Sequence, residues 1–242
     1  MKTKAAALLC ALVSTGAALA QAPAPQPDPS FAFNAGAVSD YRYRGISQSR
    51  LRPALQGGVD YTHESGAYLG AWASTIRWIK DAGGGADLEL DLYGGYRFAA
   101  GPVGLDVGVL TYNYPDHGLA VSPSTQEAYV GTSWGPATLK YSHAFSNLFG
   151  FADSRNSYYV DLSASFELDQ GWSLVPHIGY QKVKNNDPFS YTDYSISVNK
   201  DFGNGLAASA AWVDTDSSGL YLAPGGKHLA RGGLVLGVKY SF

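Results

Sequence analysis

The chain ends on a strict alternation of large apolar residues with small or polar ones. Residues 233–242 read GLVLGVKYSF, so a large apolar side chain recurs at every second position up to the terminal Phe242. Because successive side chains of a β-strand point to opposite faces, this segment is predicted to be a strand with one fully apolar face. Such a face must be covered by a protein core or by lipid, and the rest of the sequence decides between them.

The same alternation recurs along the chain and predicts twelve strands. Each has roughly the 9 to 11 residues that a tilted membrane-spanning strand needs. Short turns alternate strictly with longer connections, which is typical of an all-β, transmembrane antiparallel up-and-down β-barrel with both termini in the periplasm. The predicted strands cover residues 30–44, 54–63, 67–75, 86–98, 103–114, 125–134, 137–145, 157–167, 172–182, 191–202, 206–214 and 231–242.

Cross-strand pairing gives a consistency test, because residues opposite one another in a hairpin share a face. Pairing Trp134 with Ala137, and Phe98 with Val103, brings the apolar faces of neighbouring strands together. The facing of strand 67–75 stays open, because Tyr68 and Leu69 are both suited to the outside. The other hairpins give one apolar and one polar surface.

The first 20 residues are predicted to be a secretory signal peptide that is cleaved on export. Lys2 and Lys4 precede an apolar run, and the Ala-Leu-Ala sequence at 18–20 fits a cleavage site. Cys10, which is the one cysteine of the chain, lies within this segment. The exported protein is therefore expected to contain no disulfide bond.

Two segments are predicted after the signal peptide. Residues 21–29, with the sequence QAPAPQPDP, form a proline-rich linker, and residues 30–242 form the barrel. Loss of the two signal-peptide lysines leaves 15 basic against 20 acidic residues, a net charge of −5. This balance argues against nucleic acid as a partner.

A soluble barrel is the main alternative, because it would show the same alternation after an export signal. Its apolar face would point inward, whereas a membrane barrel places that face outside with aromatic residues at both interfaces. Aromatic residues near both ends of the strands therefore favour the membrane barrel. The set near the short turns is Phe31, Phe33, Tyr61, Phe98, Trp134, Phe166, Trp172, Phe202 and Phe242; the set near the longer connections is Tyr41, Tyr43, Tyr141, Phe145, Tyr158, Tyr180, Tyr194 and Trp212.

The opposite faces of the strands, which are predicted to line a pore, are rich in charge. Ten acidic residues against six basic ones predict a mild cation preference for a narrow lumen, because low-dielectric walls focus the field of lining charges. The alternative is a plug, in which these charges pair across the lumen and close it. The acidic candidates are Asp40, Asp60, Asp87, Glu89, Asp91, Asp106, Glu127, Asp161, Glu167 and Asp193. The basic candidates are Arg42, Arg44, Arg97, Lys140, Lys182 and Lys239, and Tyr112 and His177 complete the predicted pore lining.

Three carboxylates, Asp87, Glu89 and Asp91, are predicted on one face of one strand. They could form a selectivity element or hold a calcium ion, whose ligands are oxygens. A ladder of this kind is more often neutralised by a nearby arginine and capped by tyrosines, and Arg97 and Tyr112 are available. We therefore expect no metal site and no cofactor.

An outer-membrane enzyme is a further alternative, since catalysis needs a histidine in hydrogen-bond reach of a nucleophile or an acid. His143 lies near Ser142 and Ser146, and His177 is predicted to face inward. No G-x-S-x-G or similar motif surrounds them. We therefore predict no catalytic residues and no enzyme activity.

Several segments resemble the TorF-type porin family of uncharacterised Gram-negative outer-membrane proteins. They are DYRYRGISQS (40–49), LQGGVDY (55–61), GAYLGAWAS (66–74), LELDLYGGY (88–96), the Tyr114-Pro115 pair and the final strand. The resemblance covers nearly the whole mature chain and implies an outer-membrane barrel with a channel role for small solutes or ions. The resemblance assigns no role to any residue. The terminal strand itself predicts barrel closure, with Tyr240 and Phe242 as the closure and assembly signal and with outer-membrane lipids and the barrel-assembly machinery as partners.

Overall fold

Twelve antiparallel strands close into a single barrel in the computed structural model, which describes residues 29–217 and 219–242. Each strand pairs with its neighbours in chain order, and the last pairs with the first. The predicted number and order of strands are confirmed. The strands are β1 (Ser30–Val38), β2 (Ala54–Thr62), β3 (Ala67–Thr75), β4 (Leu88–Ala100), β5 (Val103–Asn113), β6 (Thr125–Trp134), β7 (Ala137–Ala144), β8 (Tyr158–Ala164 with Phe166–Glu167), β9 (Trp172–Lys182), β10 (Tyr191–Gly203), β11 (Leu206–Thr215) and β12 (Gly233–Ser241).

The remaining elements lie in the connections. They are one short helix, Trp78–Asp81, two 3₁₀ turns, Asp169–Gly171 and Asp187–Phe189, and two small hairpins, Arg42–Tyr43 with Ile46–Ser47 and Leu222–Ala223 with Lys227–His228. No helix in the described part of the chain is long and apolar enough to cross a membrane. The expected signal peptide lies outside the described residues, as does the linker apart from Pro29.

The seam of the barrel is closed by the two ends of the chain. Asn34 pairs with Ser241, and the backbone N–H and C=O groups of Phe33 and Phe242 exchange two hydrogen bonds of 3.0 Å. The rings of Phe33 and Phe242 stack with centroids 5.9 Å apart. The predicted pairing of the terminal strand with the first is confirmed.

The apolar side chains of the strands lie on the outer face, and the charged side chains lie inside. On β4, Leu92 is exposed while Glu89 and Asp91 are buried. The facing of β3 follows the same rule, because Leu69 is 64% exposed and Tyr68 only 4%. This arrangement is the inverse of a soluble barrel, whose apolar face would be buried.

One predicted register is wrong by two residues. Phe98 pairs with Leu105, and Val103 pairs with Ala100, so the turn consists of Gly101 and Pro102 alone. Because side chains alternate with a period of two, a two-residue shift leaves every side chain on its expected face. The predicted pairing of Trp134 with Ala137 is confirmed.

The largest departure from the sequence prediction is in the first strand, which ends at Val38 rather than at residue 44. Residues 39–53 leave the barrel wall and fold into the lumen. Tyr41 and Tyr43 were expected in the outer aromatic belt but are buried, whereas Tyr141 and Trp212 of that belt are exposed. The alternation of aromatic and charged residues at positions 40–43 imitates a strand, although all four of these residues are buried.

Replacing Phe242 by Ala is expected to lower the yield of folded barrel. The stacked ring contact contributes about 0.5 to 1.5 kcal/mol beyond its apolar area, and it lies at the seam that must close. The folded fraction is measured as heat-modifiable mobility after refolding into lipid vesicles. Phe166→Ala, which removes an exposed aromatic residue away from the seam, is the matched control. An equal loss in both variants would contradict a closure role for Phe242.

Candidate pore constriction

A small hairpin formed by residues 42–47, here called the lumen hairpin, stands inside the barrel. Arg42 pairs with Ser47 and Tyr43 with Ile46, and the two-residue turn between them is Arg44-Gly45. Both turn residues have positive φ, 46° and 81°, as a tight type I′ hairpin turn requires. The Arg-Gly pair is therefore the sequence signal for this hairpin, and the strand prediction overlooked it.

The base of the lumen hairpin is organised by the carboxylate of Asp40. Arg42 Nε donates to Asp40 Oδ2 at 2.8 Å, and Ser47 Oγ donates to Asp40 Oδ1 at 2.5 Å. Arg42 Nη1 also donates to the backbone oxygen of Arg231 at 2.8 Å, and Ser47 N donates to that of Leu229 at 3.0 Å. These bonds fix the hairpin to the connection before β12.

The tip of the hairpin is held by an ion pair across the lumen. Arg44 Nη2 lies 2.7 Å from Glu127 Oε2 and Arg44 Nη1 lies 3.0 Å from Glu127 Oε1, which is a bidentate pair. Arg44 Nη1 also donates to Gln181 Oε1 at 2.6 Å, and the guanidinium lies 4.2 Å from the centre of the Tyr159 ring. Both charged side chains are almost wholly buried, at 7% and 1% exposure.

Gly45 brings the turn into direct contact with the opposite wall. A Cβ at this position would lie 2.5 Å from Thr215 Cγ2 and 2.8 Å from Asp193 Cβ. Distances this short require the neighbours to move, and the positive φ of Gly45 adds backbone strain for any other residue. Residue 45 is therefore required to be glycine for the hairpin to reach across the lumen.

The aromatic side chains of the same segment meet the acidic wall of β4 to β6. Tyr41 donates to Glu89 Oε1 at 2.7 Å, and Tyr43 donates to the hydroxyl oxygen of Tyr112 at 2.6 Å. Asp91 is buried beside them, and its Oδ1 has no hydrogen-bond partner among the described residues. This side of the lumen therefore keeps a carboxylate oxygen available.

Three inward tyrosines cross a neighbouring strand and reach a carboxylate two strands away. Tyr159 on β8 passes over Gly179 on β9 and donates to Asp193 Oδ2 on β10 at 2.9 Å. A Cβ at Gly179 would lie 2.4 Å from Tyr159 Cζ, so only glycine leaves room for the ring. The other two crossings are Tyr93 over Gly70 to Asp60 at 2.6 Å, and Tyr68 over Gly95 to Asp106 at 2.6 Å.

Other charged candidates also have partners inside the barrel. Arg97 Nε lies 3.1 Å from Asp106 Oδ2. His177 Nε2 lies 2.8 Å from Asp161 Oδ2, and His177 Nδ1 lies 3.7 Å from an oxygen of Asp193. Lys140 is buried on β7 with its ammonium 4.0 Å from the centre of the Tyr129 ring. Most of the predicted lumen residues are therefore brought together as hydrogen-bonded pairs. Lys182 is an exception, because it shares the outer face of β9 with Tyr180 and bonds to Asp187 in the following connection.

A cavity of about 60 Å³ remains between the lumen hairpin and the wall of β7 to β11. Its charged lining residues are Arg42, Arg44, Lys140, Asp161, His177 and Asp193, and its polar lining includes Tyr159, Ser142 and Ser195. Tyr159, Ser142 and Ser195 were not among the sequence-predicted candidates. Their signal was their position, because each lies on the same face of its strand as a charged residue that was predicted to point inward.

The position predicted for Asp87 is wrong. The side chain is 71% exposed just before β4, and its Oδ2 accepts a hydrogen bond of 2.7 Å from Lys80 Nζ. The Lys80 ammonium lowers the pKa of the Asp87 carboxyl. Asp87 therefore stands apart from the buried Glu89 and Asp91.

Within the described residues, no group of three or more His, Cys, Asp and Glu side chains is arranged to hold a metal ion.

The sites considered for catalysis do not assemble. His143 hydrogen-bonds with Tyr141 and Asn156, at 3.0 and 3.2 Å, on the outer side of β7. Ser142 is buried on the inner side of the same strand, so the barrel wall separates it from His143. His177 is bonded to Asp161, as given above, and no hydrogen bond joins it to Ser195 in the described structure.

Solved structures with the same architecture are porins. The KdgM porin gives a TM-score of 0.58 at 7% identity, covering 87% of this chain and 99% of its own. The KdgM porin in complex with disordered oligogalacturonate gives 0.57 at 7% identity, with 88% and 98% covered. The NanC porin gives 0.55 at 12% identity, with 88% and 99% covered. At such low identity, these likenesses show a shared β-barrel fold and nothing more.

The chain belongs to a family described as "Bacterial protein of unknown function (Gcw_chp)", whose model matches residues 21–242. No curated protein matches it. The predicted antiparallel β-barrel is confirmed, whereas the family match is to a bacterial family of unknown function and does not show the TorF-type family of the prediction.

Glu127→Gln is expected to lower the free energy of unfolding by about 3 to 5 kcal/mol, because it leaves the buried Arg44 guanidinium without its counter-ion. The measurement is urea-induced unfolding of the refolded barrel in detergent micelles. Asp87→Asn removes one partner of an exposed pair and should leave the unfolding free energy nearly unchanged. Equal stability of the two variants would show that the ion pair does not hold the lumen hairpin.

Proposed function

We propose that this protein is an outer-membrane channel of the TorF-type porin class, through which small solutes or ions diffuse passively. The observation that carries the proposal is the arrangement of the wall, with exposed apolar side chains outside and buried charges inside. A bilayer requires the apolar exterior and the closed ladder, and a polar interior is typical of membrane barrels that conduct. Twelve strands give a lumen between the filled interior of eight strands and the water channel of 16 to 18.

The proposal extends to location and assembly. The cell outer membrane of a Gram-negative bacterium, export by a cleaved signal peptide and periplasmic termini follow from the sequence patterns. The terminal strand with Tyr240 and Phe242 fits a recognition signal for the barrel-assembly machinery. The porin fold of the similar structures supports a channel rather than an enzyme.

The lumen is proposed to be mildly cation-selective. Carboxylates outnumber cationic side chains among the buried charged residues of the described chain. The acidic ones are Asp40, Glu89, Asp91, Asp106, Glu127 and Asp193, and the basic ones are Arg42 and Lys140. Arg44 and Arg97 neutralise Glu127 and Asp106, whereas Asp91 keeps an oxygen without a partner among the described residues. Carboxylates without counter-ions attract cations into a narrow lumen.

The refolded protein in a planar bilayer is expected to show discrete conductance and a reversal potential on the cation-selective side under a salt gradient. The double variant Glu89→Gln/Asp91→Asn should move that potential toward zero, because it removes negative charge beside the lumen hairpin. Asp87→Asn is the control, and it should change nothing, since Asp87 lies outside the lumen. Silence at all voltages would overturn the channel, and equal shifts in the two variants would overturn the selectivity assignment.

A closed barrel is the second candidate, with a structural or surface-binding role. It is favoured by the lumen hairpin, whose side chains bond to the wall on several sides, and by the aromatic packing of Tyr41 and Tyr43 inside the barrel. The hairpin is either the constriction of a narrow channel or its plug. Conductance of the parent protein distinguishes the two, because a plugged barrel is silent until the hairpin is removed.

Deletion of residues 42–47 is expected to increase single-channel conductance severalfold. The deletion joins neighbours, because Gln48 N already donates to the backbone oxygen of Tyr41 at 2.7 Å. The measurement is conductance in a planar bilayer, with heat-modifiable mobility as the check for folding. A folded deletion variant that conducts like the parent would show that the hairpin does not limit the channel.

A further inference from the structure

We propose that the lumen cavity contains a binding site for the carboxylate group of a small solute, with Lys140 as its cation. The proposal rests on the channel function, because the solute reaches the cavity through the lumen. The cavity of about 60 Å³ is lined by Lys140, Ser142 and Ser195 together with the tip of the lumen hairpin.

Lys140 is a buried cation without a counter-ion in the described structure. Its side chain belongs to the buried set, and no carboxylate oxygen of the described residues lies within 4.0 Å of its ammonium. Its recorded contact is with the face of the Tyr129 ring at 4.0 Å. Burying an ammonium is costly unless an anion or several acceptors surround it, so the site lacks one partner.

The nearest carboxylate along the sheet is already engaged. Asp161 is the cross-strand partner of Lys140, yet its Oδ2 is bonded to His177 Nε2 at 2.8 Å. Glu127 uses both oxygens for Arg44, and Asp193 accepts from Tyr159. These three carboxylates are thus bonded to other donors, and an external anion can supply the missing counter-charge at Lys140.

Two hydroxyl groups complete the donor set. Ser142 lies two residues beyond Lys140 on the same face of β7, with the Cα atoms about 6.8 Å apart. Ser195 lines the same cavity from β10. Neither hydroxyl makes a hydrogen bond to another described residue, so both are available to a ligand. A carboxylate has two oxygens and matches an ammonium flanked by hydroxyls.

The cavity also limits the ligand class. The cavity is partly open, so it admits the carboxylate end of a solute whose remainder stays in the lumen. The excess of carboxylates along the wall repels polyanions, which favours one carboxylate on a solute that is otherwise neutral or cationic. The assigned class is therefore small monocarboxylates, including amphoteric ones.

The test measures acetate binding to the refolded full-length barrel in nonionic detergent by saturation-transfer NMR, which does not require conduction. The parent protein is expected to bind acetate, and Lys140→Met to weaken binding about tenfold or more, the loss expected for one charge-assisted hydrogen bond. Lys140→Arg should retain binding, and Ser142→Ala should weaken it a few-fold. Lys200→Met is the control, because Lys200 is bonded to the turn oxygen of Gln170 away from the cavity.

Folding is checked independently for each variant by heat-modifiable mobility, and Lys140→Met is expected to fold because it removes a buried charge without a counter-ion. No acetate binding by the parent, or equal binding by parent and Lys140→Met, would overturn the site. Methylammonium should not compete with acetate, and competition by it would overturn a carboxylate assignment. Acetate binding by a barrel that is silent in the bilayer would overturn the channel function while leaving the site in place.

Discussion

Closure of the hydrogen-bond ladder between β1 and β12 is the constraint on which the other features depend. Backbone N–H and C=O groups that face hydrocarbon have no water to bond, so an open sheet edge is not tolerated at membrane depth. The twelve strands satisfy these groups by pairing each strand with two neighbours, and the seam at Phe33 and Phe242 completes the circle. Only after closure does one face become an apolar exterior and the other a shielded polar interior.

The side chains of the barrel wall do not fill the interior by themselves. Twelve strands enclose more space than their inward side chains fill, and residues 39–53 occupy part of it. The lumen hairpin brings its own charges, Arg42 and Arg44, each matched by a carboxylate of the chain. Such a segment is held by polar bonds and aromatic packing rather than by strand pairing with the wall. It can therefore be removed or displaced without opening the barrel.

Much of the wall could be predicted from the sequence, because a period of two fixes which residues share a face. The strand count, the order of strands and the inward placement of Glu89, Asp91, Asp106 and Glu127 follow from that period. The same period does not distinguish pairing registers that differ by two residues. The predicted register of Phe98 was therefore wrong, although its face was right.

The candidate site was less predictable, because its geometry depends on contacts between residues far apart in the chain. The alternating sequence at 40–44 has the period of a strand, and only the Arg44-Gly45 turn signals a hairpin. Pairing of Arg44 with Glu127 joins positions 83 residues apart, which no local pattern encodes. The position of Asp87 was wrong because the strand begins one residue later, at Leu88, and the Asp87 carboxylate bonds to Lys80 in the preceding connection.

The tyrosines that cross over glycines have a mechanical consequence. Each of these side chains links the first and third of three successive strands, whereas each backbone hydrogen bond of the sheet links two adjacent strands. Backbone pairing resists separation of adjacent strands, but it resists a change in the angle between them only weakly. Side-chain bonds that span three strands resist a change in this angle. They therefore oppose flattening of the barrel cross-section under the lateral pressure of the bilayer. The three glycines permit these bonds because they leave room for the tyrosine rings to lie along the wall. The rings therefore stay close to the wall and do not extend into the lumen.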